Sequence, residues 1–153
     1  TTRSPRPNEM HEKDYIFLSP AEFDEIVDTG GFLEWAQVYG NRYGVPKAPI
    51  DDALAKGQTV VIKTDVQGAS TIKKLISRAI FIFLAPASMK ELEHRLRNRL
   101  TESKTDVSLR LRTARAEMGH QAMFDYTVIN HEGELERTVS KIEAIINKEQ
   151  EAT

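Results

Sequence analysis

Three short apolar runs, separated by longer amphipathic stretches, constrain the fold of this chain more than any other feature. The runs are TVVIKTDV (59–66), AIFIFLA (79–85) and YTVIN (126–130). Short, mostly apolar runs are typical of strands buried on both faces, which occur in parallel sheets with helices on each side. The alternation of such strands with helices therefore predicts an α/β fold, in which a parallel sheet is covered by helices.

The residues before these runs predict a smaller, mixed arrangement. DYIFL (14–18) is expected to form a strand, and SPAEFDEIVDTGG (19–31) a helix that Ser19 and Glu22 begin with a capping box. GFLEWAQVYGNRYGV (31–45) alternates in polarity and contains a turn sequence near residues 39–42, which predicts an antiparallel hairpin.

Further helices are predicted along the rest of the chain. They are expected at 48–57, within GASTIKKLIS (68–77), and in two basic stretches around 91–100 and 108–118. A last helix is expected after the predicted strand YTVIN (126–130). The last of these helices has an apolar face made of Leu135, Val139, Ile142, Ile145 and Ile146. Such a face predicts that this helix packs on the sheet.

Composition excludes several classes of function. The 153 residues are 40% hydrophobic and 29% charged with a formal net charge of −2, so no broad basic field exists to bind nucleic acid or an anionic membrane. The longest apolar run, AIFIFLAPA (79–87), is too short to span a bilayer. The absence of cysteine excludes disulfides and thiolate metal sites and is compatible with a reducing cytosol. The four histidines have no metal-ligand spacing, so no metal site is predicted.

The first residues, TTRSPRPNE, carry two arginines between prolines. Proline holds its own backbone and that of the preceding residue extended, and a polyproline II path of about three residues per turn puts Arg3 and Arg6 on one side. Such a pair could clamp a phosphate, or it could be a solvated basic tail. Tyr15 and Tyr43 carry phenols that could reach the same anion, or they could be structural.

Two carboxylates are candidates for recognition of a base. Strand alternation puts Glu34 on one face with Phe32 and Ala36. There it could accept hydrogen bonds from the ring N–H and the amino group of guanine, or it could be an edge-strand glutamate in water. Asp65 follows a predicted strand and precedes a helix, so it either faces a ligand at the edge of the sheet or serves as the helix N-cap.

Two basic helices carry clustered arginines. In ELEHRLRNRL (91–100), Arg95 and Arg99 are one turn apart, where like charges repel, and SLRLRTARAEM (108–118) repeats the theme with Arg110. The cluster is either a solvated face or a site that polyphosphate neutralises, and arginines on a mobile lid suit phosphoryl transfer. No G-x-S-x-G elbow is present, so acyl transfer has no support.

Taken in order, six stretches of the chain resemble the guanylate kinase family. They are TTRSPRPNE, DYIFLS, GGFLEWAQVYGNRYG, IKTDVQGA, RLRNRLTES and VIN, and the resemblance runs from Thr1 to about Ile146. It implies a P-loop kinase-type parallel sheet, a small mixed subdomain that binds GMP, and a helical lid. The implied activity is cytoplasmic phosphoryl transfer from ATP to GMP, giving ADP and GDP, with Mg²⁺ as the companion of ATP.

The resemblance also implies a role for individual residues and segments. It implies that the phosphate of GMP is bound by Arg3, Arg6, Tyr15 and Tyr43, and that the guanine is bound by Glu34 and Asp65. It also implies that the transferring phosphates are contacted by Arg95, Arg99 and Arg110, and that Asn130 lies beside the adenine of ATP. Within a single domain spanning 1–153, residues 1–50 would bind GMP, 91–115 would form the lid, and 51–90 and 116–153 would form the core.

The chain departs from the family pattern in several places. The Walker A loop G-x-x-x-x-G-K-[ST] is absent with its strand and helix, so the 153 residues are expected to bind GMP without kinase activity. Lys63 stands where the family usually has an acid, Val45 where a Ser or Thr often helps to bind guanine, and Leu100 where a glycine is common in the lid. The alternative function is a non-catalytic module that binds GMP or phosphorylated peptides. The lid arginines disfavour this alternative, because a peptide-binding module needs no contacts to the γ-phosphate.

Overall fold

The computed structural model describes residues 1–98 and 104–152, which belong to two compact units, Thr1–Ser77 and Arg78–Thr153. The first unit contains helix α1 (Pro20–Asp28), strands β1 (Phe32–Val38) and β2 (Asn41–Pro46), and helices α2 (Lys47–Ala55) and α3 (Val66–Leu75). The second contains strand β3 (Ile82–Pro86), helices α4 (Met89–Asn98) and α5 (Lys104–Met118), a 3₁₀ turn (Gln121–Met123), strand β4 (Tyr126–Asn130) and helix α6 (Leu135–Glu151).

Helix α1 confirms the predicted capping box. The Ser19 hydroxyl accepts a hydrogen bond from the backbone N–H of Glu22, and the Glu22 carboxylate accepts one from the backbone N–H of Ser19. These two bonds satisfy donors that every helix N-terminus otherwise leaves open. The helix turns Phe23 inward, and this side chain is completely buried.

Strands β1 and β2 form the predicted antiparallel hairpin. Val38 pairs with Asn41, so the turn consists of Tyr39 and Gly40, one residue earlier than the sequence pattern suggested. Both turn residues have positive φ, 50° and 79°, which is the arrangement that matches the right-handed twist of the two strands.

A bulge in β1 overturns the predicted face of Glu34. Phe32 pairs with Pro46 and Glu34 with Val45, so the register shifts between these two pairs. The extra residue breaks the simple alternation, and Phe32 packs with Trp35 on the same ring, that of Phe23, at centroid distances of 4.6 and 6.0 Å. The prediction that Phe32 and Glu34 share a face of the strand is therefore wrong.

Two predicted strands are not formed. In 14–18 the structure has only an isolated bridge between His11 and Tyr15, and residues 59–65 lie outside any helix or strand, while Val66 already belongs to α3. An apolar pattern indicates burial, but a strand also needs a ladder of backbone hydrogen bonds with a neighbour. Neither segment forms such a ladder within the part of the chain that the structure describes.

The second unit confirms the parallel sheet, as a pair of strands. β3 and β4 run parallel with Ile82 opposite Tyr126 and Pro86 opposite Asn130. Phe83, Ala85 and Val128 are buried on this pair. Helix α6 packs on β4, although Leu135 and Val139 of its predicted apolar face remain 65% and 40% exposed.

None of the helices among the described residues is both long enough and apolar enough to cross a membrane.

Candidate active site

The first unit gathers the predicted phosphate-binding residues around Arg3. The Nε of Arg3 donates to the Tyr43 hydroxyl at 3.1 Å, and the guanidinium carbon lies 5.2 Å from the centroid of the Tyr15 ring. The Tyr15 and Tyr43 rings meet edge to face at 6.3 Å. Strand β2 supplies Tyr43, and the N-terminal segment supplies Arg3. The structure thus brings together both predicted phenols and one predicted arginine.

Glu9 joins Arg6 to this cluster. Its carboxylate accepts from both terminal nitrogens of Arg3, at 2.8 and 3.0 Å, and from the backbone N–H of Arg6 at 2.8 Å. The Arg6 guanidinium forms an ion pair with the same carboxylate at 3.5 Å. The hydrogen bonds from Arg3 lower the pKa of Glu9 to about 2, so Glu9 is ionised throughout the physiological range. We call Arg3, Arg6, Glu9, Tyr15 and Tyr43 the clamp.

Glu34 forms a second cluster in the same unit. The side chain is buried, with 7% of the residue exposed, and its Oε1 accepts a hydrogen bond from the Thr64 hydroxyl at 3.1 Å. Its other oxygen, Oε2, is a buried polar atom for which the described residues offer no hydrogen-bond partner. Burial raises the pKa of Glu34, the bond from Thr64 lowers it, and the nearby charge of Asp65 raises it further.

Asp65 is the N-cap of α3. Its Oδ1 accepts from the backbone N–H of Gly68 at 2.8 Å, which is the structural one of its two predicted roles. A carboxylate has a second oxygen, so capping and ligand binding are compatible. Gly68 has no side chain, and a Cβ there would lie 2.7 Å from Oε1 of Glu34. This glycine therefore lets the Glu34 carboxylate approach the first turn of the helix.

The second unit brings Arg95 to Asn130. Arg95, on α4, donates to the backbone carbonyl of Asn130 at 2.7 Å and forms an ion pair with Glu91. The Asn130 side-chain oxygen accepts from the Thr138 hydroxyl of α6 at 3.2 Å. These contacts hold α4, the end of β4 and the start of α6 together. Arg110, on α5, is half-buried, and Arg99 lies outside the described residues.

The sequence interpretation missed Glu9, Thr64 and the placement of Lys63. Glu9 follows Arg6 by three residues and Arg3 by six, and that spacing is the signal that could have found it. Thr64 gives no such signal, because its partner Glu34 is 30 residues away. Lys63 lies with its ammonium 5.2 Å from the centroid of the Tyr15 ring.

A protein-held metal does not fit the described residues. Across 1–98 and 104–152 there is no group of three or more His, Asp or Glu side chains that could hold a metal ion. Carboxylate ligands would be the expected protein contribution to a magnesium site.

Comparison with known proteins gives a consistent result over almost the whole chain. A family model described as guanylate kinase matches residues 1–149. A guanylate kinase from Polaromonas sp. is 42% identical over 147 residues, which are 96% of this chain and 70% of the relative. A guanylate kinase from Caldanaerobacter subterraneus is 40% identical over 146 residues, or 95% of this chain and 70% of the relative.

The likeness extends to a plant protein and to a solved structure. A chloroplastic/mitochondrial guanylate kinase of Oryza sativa is 42% identical over 150 residues, covering 97% of this chain and 53% of the plant protein. The crystal structure of guanylate kinase from Anaplasma phagocytophilum superposes with a TM-score of 0.83 at 33% identity, over 97% of this chain and 72% of that one.

Proposed function

Since the chain belongs to the guanylate kinase family, we propose that the full-length protein transfers the γ-phosphoryl group of ATP to GMP, giving ADP and GDP, and that the 153 residues of this chain supply its GMP site. The observation that carries the choice of acceptor is Glu34, a buried carboxylate with one oxygen left without a hydrogen-bond partner among the described residues. A ligand that brings hydrogen-bond donors to this oxygen would satisfy it. Guanine presents two neighbouring donors, its ring N1–H and its exocyclic amino group.

The base is bound by Glu34 and Asp65. Each oxygen of Glu34 can take one donor of guanine, while Thr64 holds Oε1 in place. Adenine presents an acceptor where guanine has its ring N–H, so it would face the carboxylate lone pairs without a hydrogen bond. A site that leaves its own polar groups unpaired rejects such an analogue strongly.

The phosphate of GMP is bound by the clamp. Arg3 and Arg6 supply guanidinium donors, and Tyr15 and Tyr43 supply phenols beside them. Glu9 fixes both arginines before the substrate arrives, because it accepts from the Arg3 side chain and from the Arg6 backbone. Groups that are ordered in advance lose less conformational entropy on binding.

ATP is bound and activated by residues of the second unit. Arg95, Arg99 and Arg110 would stabilise the charge on the transferring phosphoryl group, and Asn130 would lie beside the adenine. Phosphoryl transfer depends mainly on positioning and charge stabilisation, which arginines supply. In this proposal Mg²⁺ is bound to the phosphates of ATP, and no chemistry is assigned to a metal held by the described residues.

A non-catalytic binding module is not favoured, because the relatives and the structural neighbour are all described as guanylate kinases. A cytoplasmic location is part of the proposal and is supported by the bacterial relatives.

The test is acceptor selectivity of the full-length protein with ATP. GMP should be phosphorylated far faster than AMP, and Glu34→Gln should remove most of that preference, because the amide nitrogen is a donor that meets the donors of guanine. Glu25→Gln, at an exposed position of α1, is the matched control. Equal rates with GMP and AMP in the native protein would contradict the proposal.

A further inference from the structure

Lys63 lies beside the clamp and has no role in the function described so far. Its ammonium is 5.2 Å from the centroid of the Tyr15 ring, and the Arg3 guanidinium carbon is at the same distance from that centroid. Two cations therefore lie near one phenol ring. The side chain of Lys63 is exposed, so its ammonium can still bind a ligand that enters from solvent.

The backbone at Lys63 connects the two ends of the site. Lys63, Thr64 and Asp65 are consecutive: the first contacts Tyr15, the second donates to Glu34 and the third caps α3 next to Glu34. This segment thus places a cation at the phosphate end of the site and a hydroxyl at the base end.

The charge of the clamp fits a phosphate monoester once Lys63 is included. Glu9 lies against Arg3 and Arg6 and offsets one of their two positive charges. Adding Lys63 gives three cations and one carboxylate, a net charge of +2. A phosphate monoester carries about −1.5 to −2 at neutral pH. With Arg3 and Arg6 alone, the net charge of the clamp would compensate only part of the charge on the ligand.

We propose that Lys63 is a further substrate-binding residue, which contacts the 5′-phosphate of GMP as the third cation of the clamp. The proposal rests on the proposed function, since it requires GMP to occupy the site. The competing explanation is that Lys63 only braces Tyr15 through a cation–π contact. The two explanations differ in the ligand that they affect: a phosphate contact acts on GMP alone, whereas a brace of Tyr15 changes the whole pocket.

The experiment is isothermal titration calorimetry of the full-length protein with GMP and with guanosine. Lys63→Met keeps the length and apolar stem of the side chain and removes the charge. It should raise the dissociation constant of GMP about two- to fivefold, the usual contribution of one exposed charge pair, and leave that of guanosine unchanged. The loss should shrink at high salt, because exposed charges are screened.

Three variants complete the test. Lys63→Arg retains the positive charge and should bind GMP within about twofold of the native protein. Lys56→Met, which removes an exposed charge from the residue that follows α2, should leave both ligands unaffected. Arg6→Ala should weaken GMP and spare guanosine, which reports on the clamp independently of Lys63.

Two results would overturn the inference about Lys63. One is native GMP affinity in Lys63→Met while Arg6→Ala loses it, which leaves the proposed function standing. The other is an equal loss for GMP and guanosine in Lys63→Met, as a brace would give. If neither Lys63→Met nor Arg6→Ala weakened GMP, the phosphate site itself, and with it the proposed function of the clamp, would be wrong.

Discussion

Glu34 is a residue at which binding and stability oppose each other. Its carboxylate is buried, one oxygen lacks a hydrogen-bond partner among the described residues, and burial raises its pKa. In the unfolded chain this carboxylate is ionised at neutral pH, whereas burial in the folded protein disfavours its ionised form. The side chain therefore reduces the free energy of unfolding at neutral pH. Functional sites commonly retain such unfavourable groups, because a ligand satisfies them.

Replacement of Glu34 by glutamine should therefore stabilise the ligand-free protein in a pH-dependent way. Because the folded-state pKa lies above the unfolded value, the favourable contribution of the native side chain is present below the unfolded pKa, near 4.5, and is lost as pH rises through the folded-state value. The free energy of unfolding of Glu34→Gln should be about 1 kcal/mol larger than that of the native protein at pH 8 and equal to it at pH 4.

Urea unfolding at the two pH values measures this difference, with the exposed Glu25→Gln as control. An advantage of Glu34→Gln that is the same at both pH values would show that the ionised carboxylate is not its cause.

At the scale of secondary-structure elements, α3 and β1 are joined through a glycine. Gly68 lies in the first turn of α3, where its backbone N–H binds the capping Asp65 and its missing side chain leaves room for Glu34. A helix interior normally favours alanine over glycine by nearly 1 kcal/mol. Here the close approach of the Thr64 hydroxyl and of Glu34 from β1 reverses that preference.

Gly68→Ala should lower the free energy of unfolding by roughly 1–3 kcal/mol, the usual cost of overpacking, in spite of the higher helix propensity of alanine. The added Cβ would overlap the Thr64 hydroxyl and lie 2.7 Å from Oε1 of Glu34, so it would displace both side chains and GMP affinity should fall as well. Denaturant unfolding and calorimetry check both effects. Gln67→Ala, at an exposed position of the same helix, should be neutral or slightly stabilising; a Gly68→Ala variant that behaved the same way would refute the contact.

Helix α4 carries two arginines that make a matched pair for kinetics. Arg95 contacts the carbonyl of Asn130, whereas Arg97 is exposed and pairs with Glu93 one turn away. If Arg95 stabilises the transferring phosphoryl group, Arg95→Ala in the full-length protein should lower kcat roughly 100-fold or more and change the KM for GMP little. Arg97→Ala should retain native kinetics. A normal kcat in Arg95→Ala with a raised KM would assign the residue to substrate binding instead.

At the scale of the whole molecule, the affinity for an anion is local. The chain has a formal net charge of −2, yet the N-terminal clamp concentrates cations around one carboxylate. Long-range attraction of polyanions is therefore not expected, and binding depends on a ligand that satisfies the clamp and Glu34 together. Such a ligand stabilises the folded state in proportion to its occupancy.

GMP should accordingly raise the melting temperature of the protein. At a concentration 100 times its dissociation constant, linkage predicts about 2.7 kcal/mol of stabilisation. AMP, which satisfies the clamp and not Glu34, and guanosine, which satisfies Glu34 and not the clamp, should each give a much smaller shift at the same concentration. Differential scanning calorimetry with the three ligands makes the comparison. A shift from AMP as large as that from GMP would show that the base is not recognised.

The sequence by itself determined the features that depend on neighbouring residues. The capping box of Ser19 and Glu22, the hairpin turn at Tyr39 and Gly40, and strand β4 all follow from residues within a few positions of one another. Local hydrogen bonds and side-chain periodicity decide such features, so they can be predicted from a short window. The clustering of Arg3 with Tyr15 and Tyr43 was expected through the family resemblance and not from local chemistry.

Only the tertiary structure decided how distant residues meet. The bulge that moves Phe32 to the side of Trp35, the bond from Thr64 to Glu34, and the position of Lys63 beside Tyr15 each join parts of the chain that the sequence separates. The same holds for 14–18 and 59–65, whose apolar patterns predicted strands that the described residues do not form. A side-chain pattern reports how much burial a segment needs, whereas pairing and contact depend on which backbone lies next to it.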